Sequence, residues 1–225
     1  MPKTITLDTN QAKKATEAFL LLARLHQAAM ERLADGELRA PGGDTGAGEP
    51  DPQQELEALA RLEPEAITRI HGRYFPVVYK FARYRLSDEV LAEDVAAETF
   101  ARLIEYASIG RGPNTNVRGW LMRTASNLVN DYYRAMYSRP TAELPETLPS
   151  TSPGPVGTFE TTEEHRQLHE ALKNLTDDQA NVLALRFGSG LSLAETADAL
   201  GKNANAIKAL QFRAIGALRR ELTQA

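Results

Sequence analysis

Two helix-start signals and one helix-stop signal sit at fixed offsets in the last fifty residues, and they constrain the fold more than any other feature. The stretch TDDQANVLALRFGSGLSLAETADALGKNANAIKALQFRAIGALRREL, beginning at Thr176, reads as three consecutive helices. Thr176 with Gln179, and Ser192 with Glu195, have capping-box spacing: the hydroxyl accepts an orphan backbone N–H, and the residue three further on reaches back. Gly201 stands where a residue free to take positive φ closes a turn. The third helix then has Ile207, Leu210, Ala214, Leu218 and Leu222 at helical spacing for a core side. Its other side carries Asn205, Lys208, Gln211, Phe212 and Arg213, with Lys202, Arg219 and Arg220 flanking it. Hydrogen-bond donors on one face of a helix that fits the major groove are what base and phosphate contacts require. The pattern predicts a helix-turn-helix; a helical hairpin with a solvated basic face is the plainer alternative.

Composition narrows the setting. The 225 residues suffice for one or two domains, and 42% hydrophobic with 25% charged residues is ordinary for a water-soluble protein. There is no cysteine, which excludes disulfides and thiolate metal sites and suits a reducing, cytoplasmic setting. No apolar run approaches the roughly 20 residues of a membrane span, and Lys13, Lys14 and Glu17 interrupt the only candidate for a secretory signal. The net charge of −4 argues against indiscriminate coating of nucleic acid. The charge is, however, segregated. Asp88, Glu89, Glu93, Asp94, Glu98 and Glu105 crowd one segment, while Arg118, Arg123, Arg134 and Arg139 dominate the next. Such a chain is expected to meet a basic partner on one surface and an acidic one on another.

Residues 36–52 and 138–158 are rich in Gly or Pro without hydrophobic periodicity, and they read as tethers. Before the first lies a helix, roughly residues 10–35, capped by Asn10, with Phe19, Leu22, Leu25, Met30 and Leu33 on its apolar side. Between the tethers lies an all-helical block. One helix spans about 64–86 with Ile67, Ile70, Phe75, Val78 and Phe81 for a core, and Pro76 is expected to kink or divide it. Ser87 is read as the cap of the next, which offers Leu91, Val95, Phe100 and Leu103 inward. A third follows the break at residues 112–116, with Trp120, Leu121, Ala125, Leu128 and Val129 on its core side. No segment reads as a β-strand.

Three stretches, AEDVAAETFARLIEY (residues 92–106), NVRGWLMRTASNLVNDYYR (116–134) and GLSLAETADALGKNANAIKALQFRA (190–214), occur in this order around a Pro-rich tether. Together they resemble the extracytoplasmic-function sigma factors of bacterial RNA polymerase. The resemblance implies an all-α fold of two small helical domains, a sigma-2-like bundle and a sigma-4-like helix-turn-helix, joined by a flexible linker. Residues 1–52 would be an N-terminal helical extension and linker, either regulatory or simply stabilising. Residues 53–137 would bind core polymerase and the −10 element, 138–160 would be the linker, and 161–225 would read the −35 element. By the same resemblance Asp94, Glu98, Thr99 and Phe100 fall where the family docks on the clamp of the β′ subunit, and Phe100 reads equally as core. Asn114, Thr115, Asn116 and Val117 fall where an unstacked −10 base is captured, with Arg118, Arg123, Asn127 and Arg134 placed for phosphates. Trp120 is read as a core anchor, and Tyr132 and Tyr133 as either stacking or core residues. Asn203, Asn205, Lys208, Ala209, Gln211, Phe212 and Arg213 align with −35 contacts, although relatives often carry a hydroxyl residue in place of Ala209 and a basic one in place of Leu210. The flap of the β subunit, promoter DNA and an anti-sigma factor are the other partners the resemblance implies.

His165 and His169 have the spacing of two metal ligands on a helix, but no third ligand accompanies them, so they read as a solvated face. The acidic cluster lacks a calcium-loop pattern, and neither a phosphate-binding glycine loop nor a nucleophile elbow occurs. No catalytic residue, metal or cofactor is expected. The competing functions are a stand-alone helix-turn-helix regulator and an interaction protein whose acidic helix sequesters a partner.

Overall fold

A computed structural model describes residues 9–35, 51–86, 88–138, 171–172 and 174–224. Among them the elements are helices α1 (Thr9–Ala34), α2 (Pro52–Ala60), α3 (Pro64–Arg85), α4 (Glu89–Ser108), α5 (Val117–Ser138), α6 (Asp177–Leu183), α7 (Leu193–Leu200) and α8 (Ala204–Gln224). A π-helical turn, Ala184–Gly188, continues α6. No strand occurs among the described residues. The tether from 139 to 158 and the histidine pair lie outside them.

Helix starts follow local chemistry. Pro52 opens α2, and the Gln53 N–H donates to Asp51 Oδ1 at 3.1 Å, so the first tether ends two residues earlier than composition suggests. The start of α4 is capped by Asp88, whose carboxylate accepts from the Leu91 N–H at 3.1 Å; the cap is therefore Asp88 rather than Ser87. Asn10 falls inside α1, which begins at Thr9. Both expected capping boxes form, on α6 and α7. Gly201 ends α7 with φ 61°, in the left-handed region that favours glycine. Pro76 does not divide α3, which runs from Pro64 to Arg85 with the proline ring buried inside it.

Helices α1 to α5 share one core. Phe75, Phe81 and Phe100 are almost wholly buried there with Ile70, Leu103, Ile104, Leu121 and Met122. Removing each such ring from water contributes about 2–3 kcal/mol. Helix α1 lies across α3 and α4 on a stripe of mostly small residues, Ala15, Ala18, Leu22 and Ala29. Its larger Phe19, expected inward, is 39% exposed because the alanines let the backbones approach and leave no room for a ring. On the far side, α6 and α8 close around Leu175, Ala180, Leu183 and Ala214, while Val182, Ala197 and Ile207 form a third cluster. Of the apolar residues expected inward on α8, Ile207 and Ala214 are buried, Leu210 and Leu218 are half-buried, and Leu222 is exposed.

The two halves are not separate bodies. Ala184, Leu185, Leu191 and Ala199, from the C-terminal half, belong to the same apolar core as α3 and α5. The π turn passes so near α3 that a Cβ on Gly188 would sit 3.0 Å from the Tyr84 ring, and Ser189 Oγ lies 3.4 Å from the Val77 carbonyl.

Candidate nucleic-acid interface

Three groups of polar residues are on display. The first is the outer edge of α4, where Asp94, Glu98 and Glu105 are exposed. Glu98 accepts from Arg102 Nε at 2.8 Å, a solvent-exposed pair of small energetic weight. Thr99 and Phe100 point the other way. Thr99 is fully buried, with its hydroxyl donating to the Val95 carbonyl at 2.7 Å, and Phe100 packs at 6.2 Å from the Phe75 ring. Of the alternatives for Phe100, the core one holds, and Thr99 joins it there. The helix thus offers a carboxylate edge whose angle is set by these two anchors.

The second group surrounds the start of α5. Asn114 and Thr115 are exposed in the preceding loop, whereas Val117 is 3% exposed and serves the core. Asn116 Oδ1 accepts from the Gly119 N–H at 3.2 Å, which fixes the first turn of α5. Arg123 and Asn127 follow at helical spacing on the exposed side, and Arg134 pairs with Asp131 at 3.0 Å. Trp120 is half-buried, edge-on to Tyr106 at 5.9 Å. Tyr133 is held rather than free to stack: its hydroxyl donates to the Arg85 carbonyl, and its ring lies 5.3 Å from the Arg85 guanidinium. Tyr132 packs edge-on against it at 5.7 Å.

Part of this second group lies against the C-terminal half, while Asn114, Thr115, Asn127 and Arg134 stay exposed. Helix α7 of the C-terminal half lies along α5. Arg118 forms an ion pair with Glu195. Arg123 Nη2 donates to the Asp198 carbonyl at 2.8 Å and its Nε to the Ala199 carbonyl at 3.3 Å, so the guanidinium sits on the negative end of α7. Asn116 Nδ2 reaches Asp198 Oδ2 at 3.4 Å. Burial pushes the Glu195 carboxyl up, but bonds from Ser192 and the Arg118 cation outweigh it and hold the group below its ordinary range. Deeper in the seam, Asn181 Nδ2 donates to Asn130 Oδ1 at 3.2 Å, and Arg85, 6% exposed, contacts Asn130 and Asp177 at 3.4 and 3.9 Å. A polar cavity of about 280 Å³ remains here, lined by Arg123, Asn127, Asn130, Asp178 and Asn181 among others.

The third group is α8, whose outward side stays uncovered. Asn205, Lys208, Ala209 and Arg213 are exposed, and Phe212 is 82% exposed. Two of the expected base readers have structural duties. Asn203 Oδ1 accepts from the Ala206 N–H at 2.8 Å and caps α8, and Gln211 Oε1 accepts from Arg186 Nε at 3.2 Å. The sequence reading missed Glu195, Asp198, Asn130, Asn181 and Arg85 as members of one constellation. Each is unremarkable in its own helix, and only tertiary proximity joins them. No group of three or more potential metal ligands occurs among the described residues.

The chain matches the family models for Sigma-70 region 2 over residues 70–138 and for Sigma-70, region 4 over residues 171–220. It is 32% identical over 181 residues to the ECF RNA polymerase sigma factor BldN of Streptomyces coelicolor, across 78% of this chain and 69% of that one. The chain belongs to the extracytoplasmic-function sigma factors. As an RNA polymerase sigma factor it binds core polymerase and promoter DNA in transcription initiation, and the stand-alone regulator is not favoured. The sigma factor is also 31% identical over 161 residues to ECF RNA polymerase sigma factor SigD of Mycobacterium tuberculosis, across 67% of this chain and 74% of that one. In fold it is similar to CnrH in the structure of CnrH in complex with the cytosolic domain of CnrY, with a TM-score of 0.57 and 22% identity across 77% of this chain and 97% of that chain. The sigma factor RpoE in complex with the anti-sigma factor NepR from Bartonella quintana gives a TM-score of 0.50 and 21% identity, across 71% of this chain and 98% of that chain.

Proposed function

We propose that residues 53–137 carry the contacts to core polymerase and the −10 element, and that residues 161–225 read the −35 element. The observation that carries this reading is the order of surfaces along the described helices: a carboxylate edge on α4, cations on α5, and an uncovered donor face on α8. Asp94 and Glu98 meet the basic helices of the β′ clamp, oriented by buried Thr99 and Phe100. Charge complementarity of this kind speeds assembly and fixes register. Asn114, Thr115 and Asn116 form the mouth of a pocket for an unstacked −10 base, and Val117 supports it from beneath. Arg118, Arg123, Asn127 and Arg134 hold the phosphates of the separated strand. The protein melts promoter DNA by binding the single strand better than the duplex, and it catalyses no covalent step. Lys208, Arg213 and Phe212 reach the −35 major groove; Asn205 and Ala209 border it, and Asn203 and Gln211 hold α8 in place.

No helix among the described residues is long and apolar enough to cross a membrane. The protein works in the cytoplasm, where core polymerase is found, with the β flap as its second docking point. Relatives of this fold are bound by CnrY and by the anti-sigma factor NepR. An anti-sigma protein is therefore a fitting partner for this chain too. The packing of α1 on α3 and α4 favours a stabilising role for the N-terminal extension over a regulatory one.

Run-off transcription with purified core polymerase tests the reading. The chain is expected to direct initiation at discrete start sites, and D94A/E98A to weaken its affinity for core at least tenfold. Lys208→Ala is expected to weaken −35 duplex binding and to lower the salt dependence of log K by about one. Footprinting of an operator by the chain alone, with no initiation when core is added, would refute the proposal.

A further inference from the structure

Helix α1 lies outside the segment that matches Sigma-70 region 2, which begins at residue 70, yet it packs along α4. Two contacts fix how it lies. Gln11 Nε2 donates to the Ser108 carbonyl at 3.2 Å, at the end of α4. Toward the other end, His26 stands edge-on to Phe75 at 5.3 Å and within electrostatic reach of Asp94. From Gln11 to His26 and from Asp94 to Ser108 the chain covers nearly the same helical rise, so the two helices run antiparallel and Phe19 is level with Ala101. Phe19, Ala23 and His26 share one stripe of α1 at helical spacing, the stripe turned to α4. Opposite them, Asp94, Ala97, Ala101, Glu105 and Ser108 share one stripe of α4. Half-buried Ala97 and Ala101 thus floor a shallow groove, with Phe19 and Ala23 along one bank and exposed Asp94, Glu98 and Glu105 along the other. The Phe19 ring is 39% exposed there, and Leu20 beside it is 59% exposed.

We infer that α1 extends the polymerase-docking surface, with Phe19 as an apolar anchor for the same basic clamp helices that the α4 carboxylates meet. The inference rests on the assignment of Asp94 and Glu98 to the clamp. Continuity names the occupant: a basic helix seated on the carboxylate bank has the Phe19 bank directly beside it across two small alanines. An aromatic side chain within a charged rim is also the usual anatomy of a protein docking surface. The two banks then do different work. The carboxylates steer the encounter and fix its register, which is a salt-sensitive contribution to the association rate. The Phe19 ring leaves water only in the docked complex, so it slows release and is nearly indifferent to salt. This gives α1 a binding role beside its packing on α3 and α4.

Binding kinetics of the full chain on immobilised core polymerase, measured over a salt series, test this. Phe19→Ala is expected to weaken binding at least tenfold, mainly through faster dissociation, with the salt dependence of the parent. Phe19→Leu should recover most of the loss. Ala23→Arg sets a cation and a long side chain against the basic partner at an exposed position where folding is not at stake, and it should weaken binding by at least as much. D94A/E98A should instead slow association and flatten its salt dependence. Affinity for −35 duplex should be unchanged in every variant, which reports that each is folded. Parent-like core affinity in Phe19→Ala and Ala23→Arg, with D94A/E98A weakened, would overturn the inference and leave the α4 assignment standing. Parent-like affinity in all of them would remove the α4 assignment and this inference with it. Self-association of the parent in sedimentation, lost in Phe19→Ala while core affinity is kept, would give the groove to a second copy and overturn the inference as well.

Discussion

His71 is 3% exposed, stacked on Phe75 at 4.9 Å and tilted against Phe100 at 4.8 Å, and its Nε2 has no hydrogen-bond partner. Burial first, and the neighbouring His26 second, pull its pKa down to about 4. His26, itself lowered by burial and opposed by Asp94, lies edge-on to Phe75 at 5.3 Å. A histidine with a depressed folded pKa takes up its proton more readily when unfolded. Its contribution to stability is therefore complete above about pH 6.5 and is lost as the pH falls toward 4. Urea denaturation at pH 7.5 and pH 5 is expected to differ by about 1–2 kcal/mol from this group. His71→Leu should flatten that difference; an undiminished pH dependence in the variant would place its origin elsewhere.

At the scale of helices, what could be read in advance was what depends on near neighbours. Both capping boxes, the Gly201 stop and the apolar faces of α3 and α5 involve residues a turn or two apart, and all of them form. One error came where tertiary packing overrode local preference. Phe19 gave way to alanines on α1, whereas α4 takes its cap from Asp88 by a local bond to the Leu91 N–H. Ser192→Ala is expected to cost about 1 kcal/mol through the lost cap. Gly201→Ala is expected to cost a similar amount, since alanine is strained at φ 61° and its Cβ would press on Arg123. Chemical denaturation reads both, and a stabilised Gly201→Ala would contradict the left-handed geometry.

For the molecule as a whole, the decisive contacts were illegible because they join residues 75 to 82 positions apart, each ordinary within its own helix. The core that Leu185, Leu191 and Ala199 share with α3 and α5 predicts that the two halves melt together. Calorimetry of the full chain is expected to give one transition with matching calorimetric and van't Hoff enthalpies, and two resolved peaks would count against a shared core. Removal of residues before 52 strips α1 from α3 and α4 and is expected to lower that transition by several degrees. The bare outward side of α8 has a consequence for how such a molecule spends its time. Between engagements it keeps the Phe212 ring, 82% exposed beside Lys208 and Arg213, in water, an apolar cost that only a covering surface removes.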